Sequence, residues 1–226
     1  MSKKFVTSDP HFWHKNVIQH CHRPFANVEE MNSILIRNWN EVVSSEDTVY
    51  LLGDVCWWKI GDEKYYEILD SLNFKRLEIV FGNHDKIARR NVYPDSGCGF
   101  YPKGGTLEKI KGKSFYDRFP SMENKDIGTQ DVLFLDERKE PLYSAEGCKF
   151  HLSHYPISRW CKGQHGNFHL FGHVHGTYTN PGRSIDVGVD CHDFYPITID
   201  RAMQLCEINN EKNPHIYEDL KMGLSI

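Results

Sequence analysis

Short runs of apolar and β-branched residues recur along the chain, and each ends abruptly in polar residues. A run of this length that stops at a turn signal is typical of a buried β-strand. The predicted strands are Phe5–Thr7, Thr48–Leu52, Leu77–Phe81, Phe150–Ser153 and Phe168–Phe171.

Two helical patterns lie between the early strands. From Glu29 to Val43 the apolar residues recur at helical spacing on one face, and from Asp62 to Leu72 they do the same, with Asp62 as the expected N-cap. Strand alternating with helix predicts βαβ units and therefore an α/β fold. Such folds bind ligands at the carboxyl ends of their strands.

A chain of 226 residues suits one large domain, and we assign residues 1–226 to a single domain. Residues 86–147 differ from the rest because they are rich in Gly, Pro, Lys and Asp, with one strand candidate at Val132–Leu135. We interpret them as a loop-rich insertion, either a lid over a site or a surface excursion.

Composition narrows the partners. The formal net charge is -4, so the chain lacks the basic footprint of a protein that grips extended nucleic acid, and Lys109–Lys113 is the one short basic run. No apolar run approaches the roughly 20 residues that span a bilayer, and the N-terminus has no signal-peptide core. The seven cysteines are scattered without a Cys-x-x-Cys pair, which favours a reducing, cytoplasmic location.

Metal-binding residue types stand where the predicted strands end. They are Asp9, His11, Asp54, Asn83, His84, His154, His173 and His175. Carboxylates, imidazoles and an amide oxygen suit Mn, Fe, Zn or Ni better than Ca or Mg. The donors are too many for one ion and fit two ions that share a carboxylate, so we expect two divalent cations, with Mn²⁺ the expected ion and Fe, Ni or Zn as alternatives. Two such ions activate a shared water for attack on a phosphate.

The five motifs stand in one order: Asp9-Pro10-His11, Gly53-Asp54, Gly82-Asn83-His84-Asp85, His154 and Gly172-His173-Val174-His175. This order resembles the calcineurin-like metallophosphoesterases, whose pattern is D-x-H, G-D, G-N-H-[DE], a single H and G-H-x-H. The resemblance spans roughly residues 5 to 190. The flanking residues Ser8–His14 and Arg23–Phe25 look like a small bacterial or phage branch of the family.

The resemblance implies a four-layer α/β/β/α sandwich, in which two mixed β-sheets pack face to face with helices outside. It also implies roles for the motif residues. Asp9, His11 and His175 would hold the first metal, and Asn83, His154 and His173 the second. Asp54 would bridge them. His84 would contact the phosphate and protonate the leaving oxygen, with Asp85 orienting its ring.

Two further residues are candidates for substrate binding. His14 would reach the site on a helical turn after His11, or serve as a surface or supporting histidine. Arg23 would clamp a phosphate with two hydrogen bonds, or form a structural salt bridge. Trp57 and Trp58 follow the bridging aspartate, where many relatives of the family carry a polar residue.

For the remaining aromatic and histidine residues we favour a structural role over a role in substrate binding. Trp57, Trp58 and Trp160 would form an aromatic wall for a base or sugar, but core packing is the better interpretation. His151 and His169 are expected to be satisfied core histidines, while a substrate role for His165 and His192 is a minority interpretation.

The function predicted from these residues is hydrolysis of a phosphomonoester or phosphodiester, small or nucleotide-like. The alternatives are a catalytically inactive, metal-stabilised binding scaffold and a nuclease. An inactive relative is expected to lack the histidine that binds no metal, and His84 is present. The enzyme is therefore the favoured hypothesis.

Overall fold

The computed structural model describes residues 2–86, 131–135, 142–145 and 148–215. These residues form two β-sheets. The first sheet contains β1 (Lys4–Thr7), β2 (Thr48–Leu51), β3 (Arg76–Val80), β4 (Asp131–Leu135) and β9 (Ile197–Thr198). Its order is β4-β3-β2-β1-β9, with β1 to β4 parallel and β9 antiparallel to β1.

The second sheet contains β5 (Leu142–Ala145), β6 (Cys148–Leu152), β7 (Phe168–Phe171) and β8 (Ser184–Asp186). Its order is β5-β6-β7-β8. The pair β5 and β6 is antiparallel, whereas β6, β7 and β8 run parallel. Both sheets are therefore mixed, and in each the parallel strands end at one common edge.

Within the part of the chain that the structure describes, four α-helices accompany the sheets: α1 (Lys15–His20), α2 (Val28–Val42), α3 (Asp62–Ser71) and α4 (Ile199–Lys212). Helix α2 begins after Asn27, whose side chain accepts a hydrogen bond from the Glu30 amide. The N-cap expected at Asp62 is wrong by one residue, because Gly61, at φ 83, takes that position. Asp62 instead lies in the first turn, where its charge complements the helix dipole.

One hydrophobic cluster joins the first sheet to α1, α2 and α3. Alternate strand residues such as Val49 and Leu77 supply the sheet side, and helix residues such as Leu35 and Leu69 supply the other. Because strand side chains alternate between faces, the neighbouring residues point the opposite way. The three helices therefore cover one face of the first sheet.

A second hydrophobic cluster joins the two sheets. The first sheet contributes Val6 and Tyr50, which stand opposite each other in the β1–β2 register. The second sheet contributes Phe150 and Leu170, and Ala202 of α4 is also buried in this cluster. The two sheets therefore pack face to face.

These observations confirm the predicted α/β class and the pair of mixed sheets packed face to face. The five predicted strands are present, each shifted by two residues or fewer at its ends, and Val132–Leu135 lies inside β4. Most of residues 86–147, including the basic run Lys109–Lys113, lies outside the described residues. Among the residues that the structure describes, no helix is long and apolar enough to cross a membrane.

Candidate metal centre

The turns that carry the candidate ligands have an unusual backbone. A positive φ is uncommon for residues other than glycine and marks a locally constrained conformation. The candidate ligands with a positive φ are Asp9 (57), His11 (52), Asp54 (53), His173 (70) and His175 (48). The turns after the strands are therefore locally constrained at five of the candidate ligands.

Two glycines allow the turns to approach one another. A Cβ atom on Gly172 would meet the side chains of Ser8 and Asp9, and one on Gly82 would meet the carboxylate of Asp54. The Asp9 amide also donates to the Gly53 carbonyl over 3.1 Å. The ends of β1, β2, β3 and β7 are thus packed against one another with no space for larger residues.

The first group of donors is Asp9, His11 and His175, and one donor atom from each lies within 4.8 Å of the other two. Asp9 and His11 are buried. His11 Nε2 lies 3.8 Å from Asp9 Oδ1. Neither atom has a hydrogen-bond partner within the described part of the chain, so a cation between them would satisfy both.

The second group is Asp54, His154 and His173, whose donor atoms also lie within 4.8 Å of one another. Asn83 joins this group, because its Oδ1 lies 3.2 Å from His154 Nε2. The Nδ1 atom of His154 lies 2.8 Å from the Leu52 carbonyl oxygen. Nδ1 therefore carries the proton, and Nε2 faces the centre with its lone pair.

Asp54 stands between the two groups. Its Oδ2 lies 3.5 Å from His11 Nε2 and 3.5 Å from His154 Nε2. Its Oδ1 accepts a hydrogen bond of 2.7 Å from the His84 amide. One oxygen is thus fixed by the backbone while the other faces both groups, which is the placement that a bridging carboxylate requires.

Without a cation, burial disfavours the ionised forms of the Asp9 and Asp54 carboxyl groups. Burial raises the pKa of Asp9 to about 7, and hydrogen bonds and the charge of His175 only partly oppose it. Burial, followed by the charges of Asp85 and Asp9, raises the pKa of Asp54 to about 9. A divalent cation between these two carboxylates would supply the positive charge that their ionised forms lack in this buried site.

Arg23 does not have the geometry of a phosphate clamp, and the salt-bridge interpretation is the one that the structure supports. Its guanidinium makes two hydrogen bonds to Asp190, at 2.7 and 2.8 Å, and donates to the backbone carbonyls of Asp9 and Pro10. The remaining N–H is directed at Met31 Sδ. The Arg23 side chain is fully buried and its N–H groups are used in these contacts. Arg23 therefore links the turn of Asp9 and Pro10 to Asp190.

Asp190 was not identified from the sequence. Its Oδ2 lies 2.7 Å from His175 Nδ1, so it fixes the tautomer in which His175 Nε2 is available to a metal. Burial alone would lower the pKa of His175, but the hydrogen bonds to Asp190 and Cys21 and the nearby carboxylates raise it to about 10. The sequence signal for Asp190 is an acidic residue that follows a strand. That strand, β8, has only three residues, which is too short for its hydrophobic pattern to be recognised.

His14 lies beside His11, with 3.1 Å between the two Nδ1 atoms. Its ring stacks on Trp57 at a centroid distance of 4.1 Å. Burial, followed by the charge of His84, lowers the pKa of His14 to about 4, so the ring is neutral near pH 7. With a metal ion at His11 Nε2, the proton of His11 would lie on Nδ1, which would then donate to His14 Nδ1.

His84 lies next to these rings, 5.1 Å from His11 and 5.1 Å from His14 between centroids. Burial, then the charge of Lys86, lowers the pKa of His84. Within the described residues His84 Nδ1 has no hydrogen-bond partner, so the expected pairing with Asp85 is not made through this atom.

Asp85 is directed at the backbone instead. Its two carboxylate oxygens accept hydrogen bonds from the amides of Asp54, Val55 and Gly82, at 2.7, 2.9 and 2.7 Å. The side chain is buried. Asp85 therefore holds the turn of Asp54 against its own turn, and its effect on His84 passes through the backbone.

The three tryptophans considered for an aromatic wall differ in their environments. Trp160 is buried, donates to the Asn167 carbonyl and stacks on His169, as core packing predicts. Trp57 and Trp58 are only half-buried and belong to neither hydrophobic cluster. Core packing therefore does not account for Trp57 and Trp58.

Four further histidines have environments that agree with the structural role expected for them. His169 is buried between the hydroxyls of Ser153 and Ser184, and His151 is buried as well. His165 is exposed in a short 3-10 turn. His192 Nε2 bonds to the Asp186 carbonyl.

The chain is thus an α/β protein with two groups of candidate metal ligands at the strand ends, and comparison with known proteins identifies a class with these features. The family model described as calcineurin-like phosphoesterase matches residues 3–177. The chain belongs to the calcineurin-like phosphoesterase family. This family acts on phosphoesters and binds a dinuclear divalent metal centre.

Individual relatives agree with this assignment. The chain is 33% identical over 216 residues to the uncharacterized protein MJ1445 of Methanocaldococcus jannaschii, covering 92% of this chain and 93% of that protein. It is 25% identical to the gene 66 protein of Mycobacterium phage L5, over 84% and 87% of the two chains, and 27% identical to that of phage D29, over 90% and 96%. These matches support the phage-type branch.

One solved structure has the same fold. The crystal structure of AQ665 from Aquifex aeolicus, described as a protein of unknown function, matches with a TM-score of 0.57. The match covers 91% of this chain and 100% of that one, at 20% identity.

Proposed function

We propose that this protein hydrolyses a phosphomonoester or phosphodiester at a centre of two divalent cations, with Mn²⁺ as the expected ion. The observation that carries the proposal is the position of Asp54, whose free oxygen lies 3.5 Å from a histidine of each donor group. A shared carboxylate between two mixed nitrogen and oxygen groups is the arrangement of a dinuclear hydrolase.

The donor chemistry fits such ions. Imidazole, carboxylate and amide donors suit Mn, Fe, Ni or Zn, and the buried, unpartnered atoms of Asp9 and His11 lie where a cation would complete them. Asp9, His11 and His175 would hold the first ion and Asn83, His154 and His173 the second, with Asp54 between them. When bound, the ions supply an activated water and positive charge for the phosphate oxygens.

His84 would act as the acid that protonates the leaving oxygen. Its ring borders both His11 and His14, yet its Nδ1 is not committed to another group among the described residues. The pKa of His84 is lowered by burial and by Lys86 in the free protein, and a negatively charged phosphate ester beside the ring would raise it. Substrate binding would therefore load the proton that His84 then delivers.

The rival hypotheses explain less. An inactive binding scaffold has no use for a half-buried histidine at the centre whose Nδ1 makes no hydrogen bond within the described residues. A nuclease needs an extended basic surface, and the formal net charge of the chain is -4. We therefore favour a small phosphate ester as the substrate.

The test is hydrolysis of p-nitrophenyl phosphate and bis-p-nitrophenyl phosphate by metal-stripped protein resupplied with Mn²⁺. We expect turnover of at least one ester, and the faster one assigns monoester or diester preference. His84→Ala should lower kcat by about 10²-fold to 10⁴-fold while the metal content stays near two ions per chain. His165→Ala, which removes an exposed histidine, is the matched control.

Two results would contradict the proposal. Full turnover after exhaustive removal of metal would exclude a metal-dependent reaction. Loss of one bound ion from His84→Ala would mean that His84 is a ligand and not the acid.

A further inference from the structure

A group of aromatic and cationic side chains flanks the candidate acid His84. It consists of Trp57, Trp58, Lys59 and Lys86, and we call it the tryptophan–lysine shelf. The Trp57 ring lies 5.5 Å from the His84 ring between centroids, and 5.6 Å from Trp58. The shelf therefore borders the side of the centre from which the leaving oxygen would be protonated.

The backbone fixes the position of the shelf. The Trp57 amide donates to the Phe12 carbonyl over 2.8 Å, next to the β-bridge between Phe12 and Cys56. Trp57 also stacks on His14 at an interplanar angle of 18°. Trp57 thus follows the bridging Asp54 in the chain and is held against the first donor group through His14.

Two lysines place their charges on this aromatic surface. Lys86 Nζ lies 4.5 Å from the centre of the Trp58 ring, and Lys59 Nζ lies 5.0 Å from it. Both lysines are exposed, whereas Trp57 and Trp58 are half-buried. A flexible lysine chain that caps an indole in water is readily displaced from it, so a planar ligand can take its place while the ammonium groups meet negative charge.

A surface of this kind is complementary to a nucleotide. An indole face stacks on any base, because every base has a π-face. The positive charges of the two lysines attract the negatively charged nucleotide towards the site. Its scissile phosphate would lie at the metal centre. A small phosphosugar would leave Trp58 without a contact.

We propose that the tryptophan–lysine shelf binds the base of a nucleotide substrate, which makes Trp58 a determinant of specificity. This inference rests on the proposed phosphoesterase function, because the shelf is assigned by its position beside His84. It predicts that the site prefers phosphate esters that carry a nucleobase over those that do not.

The test compares two ligands that share a ribose and a phosphate and differ only in the base. They are adenosine 5′-monophosphate and ribose 5-phosphate, each prepared as its non-hydrolysable methylene phosphonate. Dissociation constants for the Mn²⁺-loaded protein are measured by calorimetry. We expect the adenosine compound to bind about 5-fold to 100-fold more tightly, as one base–aromatic stack provides.

Trp58→Ala should reduce this preference to within about 2-fold, because the ribose compound does not reach Trp58. Tyr178→Ala, which removes an exposed ring outside the shelf, should leave the preference as in the wild-type protein. Equal affinity of the wild-type protein for the two ligands would overturn the inference without any variant. An equal loss for both ligands in Trp58→Ala would also overturn it, since the residue would then act on the phosphate or on the fold.

The same preparation separates the two proposals. Turnover of a p-nitrophenyl ester without a preference for the adenosine ligand would refute the shelf and leave the phosphoesterase standing. Absence of turnover with both esters and with a panel of nucleotides and cyclic nucleotides, together with a preference for the adenosine ligand, would refute the hydrolase and leave a nucleotide-binding site.

Discussion

Three of the candidate histidine ligands are prepared for metal binding by what the second ring nitrogen contacts. His175 Nδ1 meets the carboxylate of Asp190, and His154 Nδ1 meets the backbone carbonyl of Leu52. His11 Nδ1 meets the ring of His14 instead. Such partners fix the tautomer and the ring orientation of a ligand, and their loss typically weakens metal binding 10-fold to 100-fold.

The contact between His14 and His11 leads to a prediction. His14→Phe keeps a ring that can stack on Trp57 but removes the nitrogen that accepts from His11, so Mn²⁺ affinity at the first group should fall about 10-fold to 100-fold. His14→Asn places an amide oxygen near the position of Nδ1 and should restore most of the affinity. Mn²⁺ titration of the metal-stripped variants measures both. Equal affinity of the Phe variant and the wild-type protein would assign His14 to the substrate or to the surface.

At the residue scale, the sequence predicts donors better than the groups that hold them. The donors stand in short motifs at strand ends, so a local pattern was sufficient to assemble them. Arg23 and Asp190 are 167 positions apart, and no local pattern pairs them. Asp85 was assigned to the adjacent His84 because the two are neighbours in the chain, whereas its hydrogen bonds go to three backbone amides.

At the scale of elements, the site depends on how closely the strand ends approach. β1 and β7 belong to different sheets, and their following turns meet where Gly172 faces Ser8 and Asp9. The His173 amide next to it donates to Asp9 Oδ2 over 2.8 Å. The glycine of this motif is therefore required by packing between two sheets.

Gly172→Ala tests this packing. The added methyl group would overlap Asp9, so we expect a loss of about 1–3 kcal/mol in the free energy of unfolding, together with weaker Mn²⁺ binding. Gly61→Ala is the control, because its Cβ meets nothing within 4 Å and its cost is limited to backbone strain at φ 83. Thermal melting with and without Mn²⁺ measures both effects. A Gly172→Ala protein with normal metal binding would show that the turns have room to separate.

The sequence predicted elements in proportion to their length and regularity. The long amphipathic helix α2 and the buried strands β2 and β7 were located to within two residues. Helix α1, with six residues, and β8, with three, are too short to produce a hydrophobic period. β8 leads to Asp190, so Asp190 was missed together with it, and His14, at the N-cap of α1, was identified only from its spacing to His11.

At the scale of the whole molecule, the metal-free fold carries protons that cations would replace. The folded-state pKa of Asp54 is about 9, against an ordinary value of 3.8, because of burial and then the charge of Asp85. The pKa of His175 is about 10, against 6.5: burial lowers it, but the hydrogen bonds to Asp190 and Cys21 and the charges of Asp9 and Asp190 together raise it by more. Both groups stabilise the metal-free fold at low pH, and this contribution is lost as pH rises through the folded-state pKa.

The stability of the metal-free protein should therefore fall between about pH 7 and about pH 9, where the unfolded chain has already released these protons. The lowered pKa values of His11, His14, His84 and His173 act below this range. Because cations take the place of the protons, the rise in melting temperature on adding Mn²⁺ should grow with pH. Thermal melting with EDTA and with Mn²⁺ measures this rise, and a constant rise across the range would contradict it.

The two sheets, the turns and the buried carboxylates converge on one claim, that two cations share Asp54. The most direct test is an anomalous difference map from crystals grown with Mn²⁺. The account predicts two peaks roughly 3.5–4 Å apart, one beside Asp9, His11 and His175 and the other beside Asn83, His154 and His173, with the Asp54 carboxylate between them. A single peak, or two peaks that do not share Asp54, would contradict it.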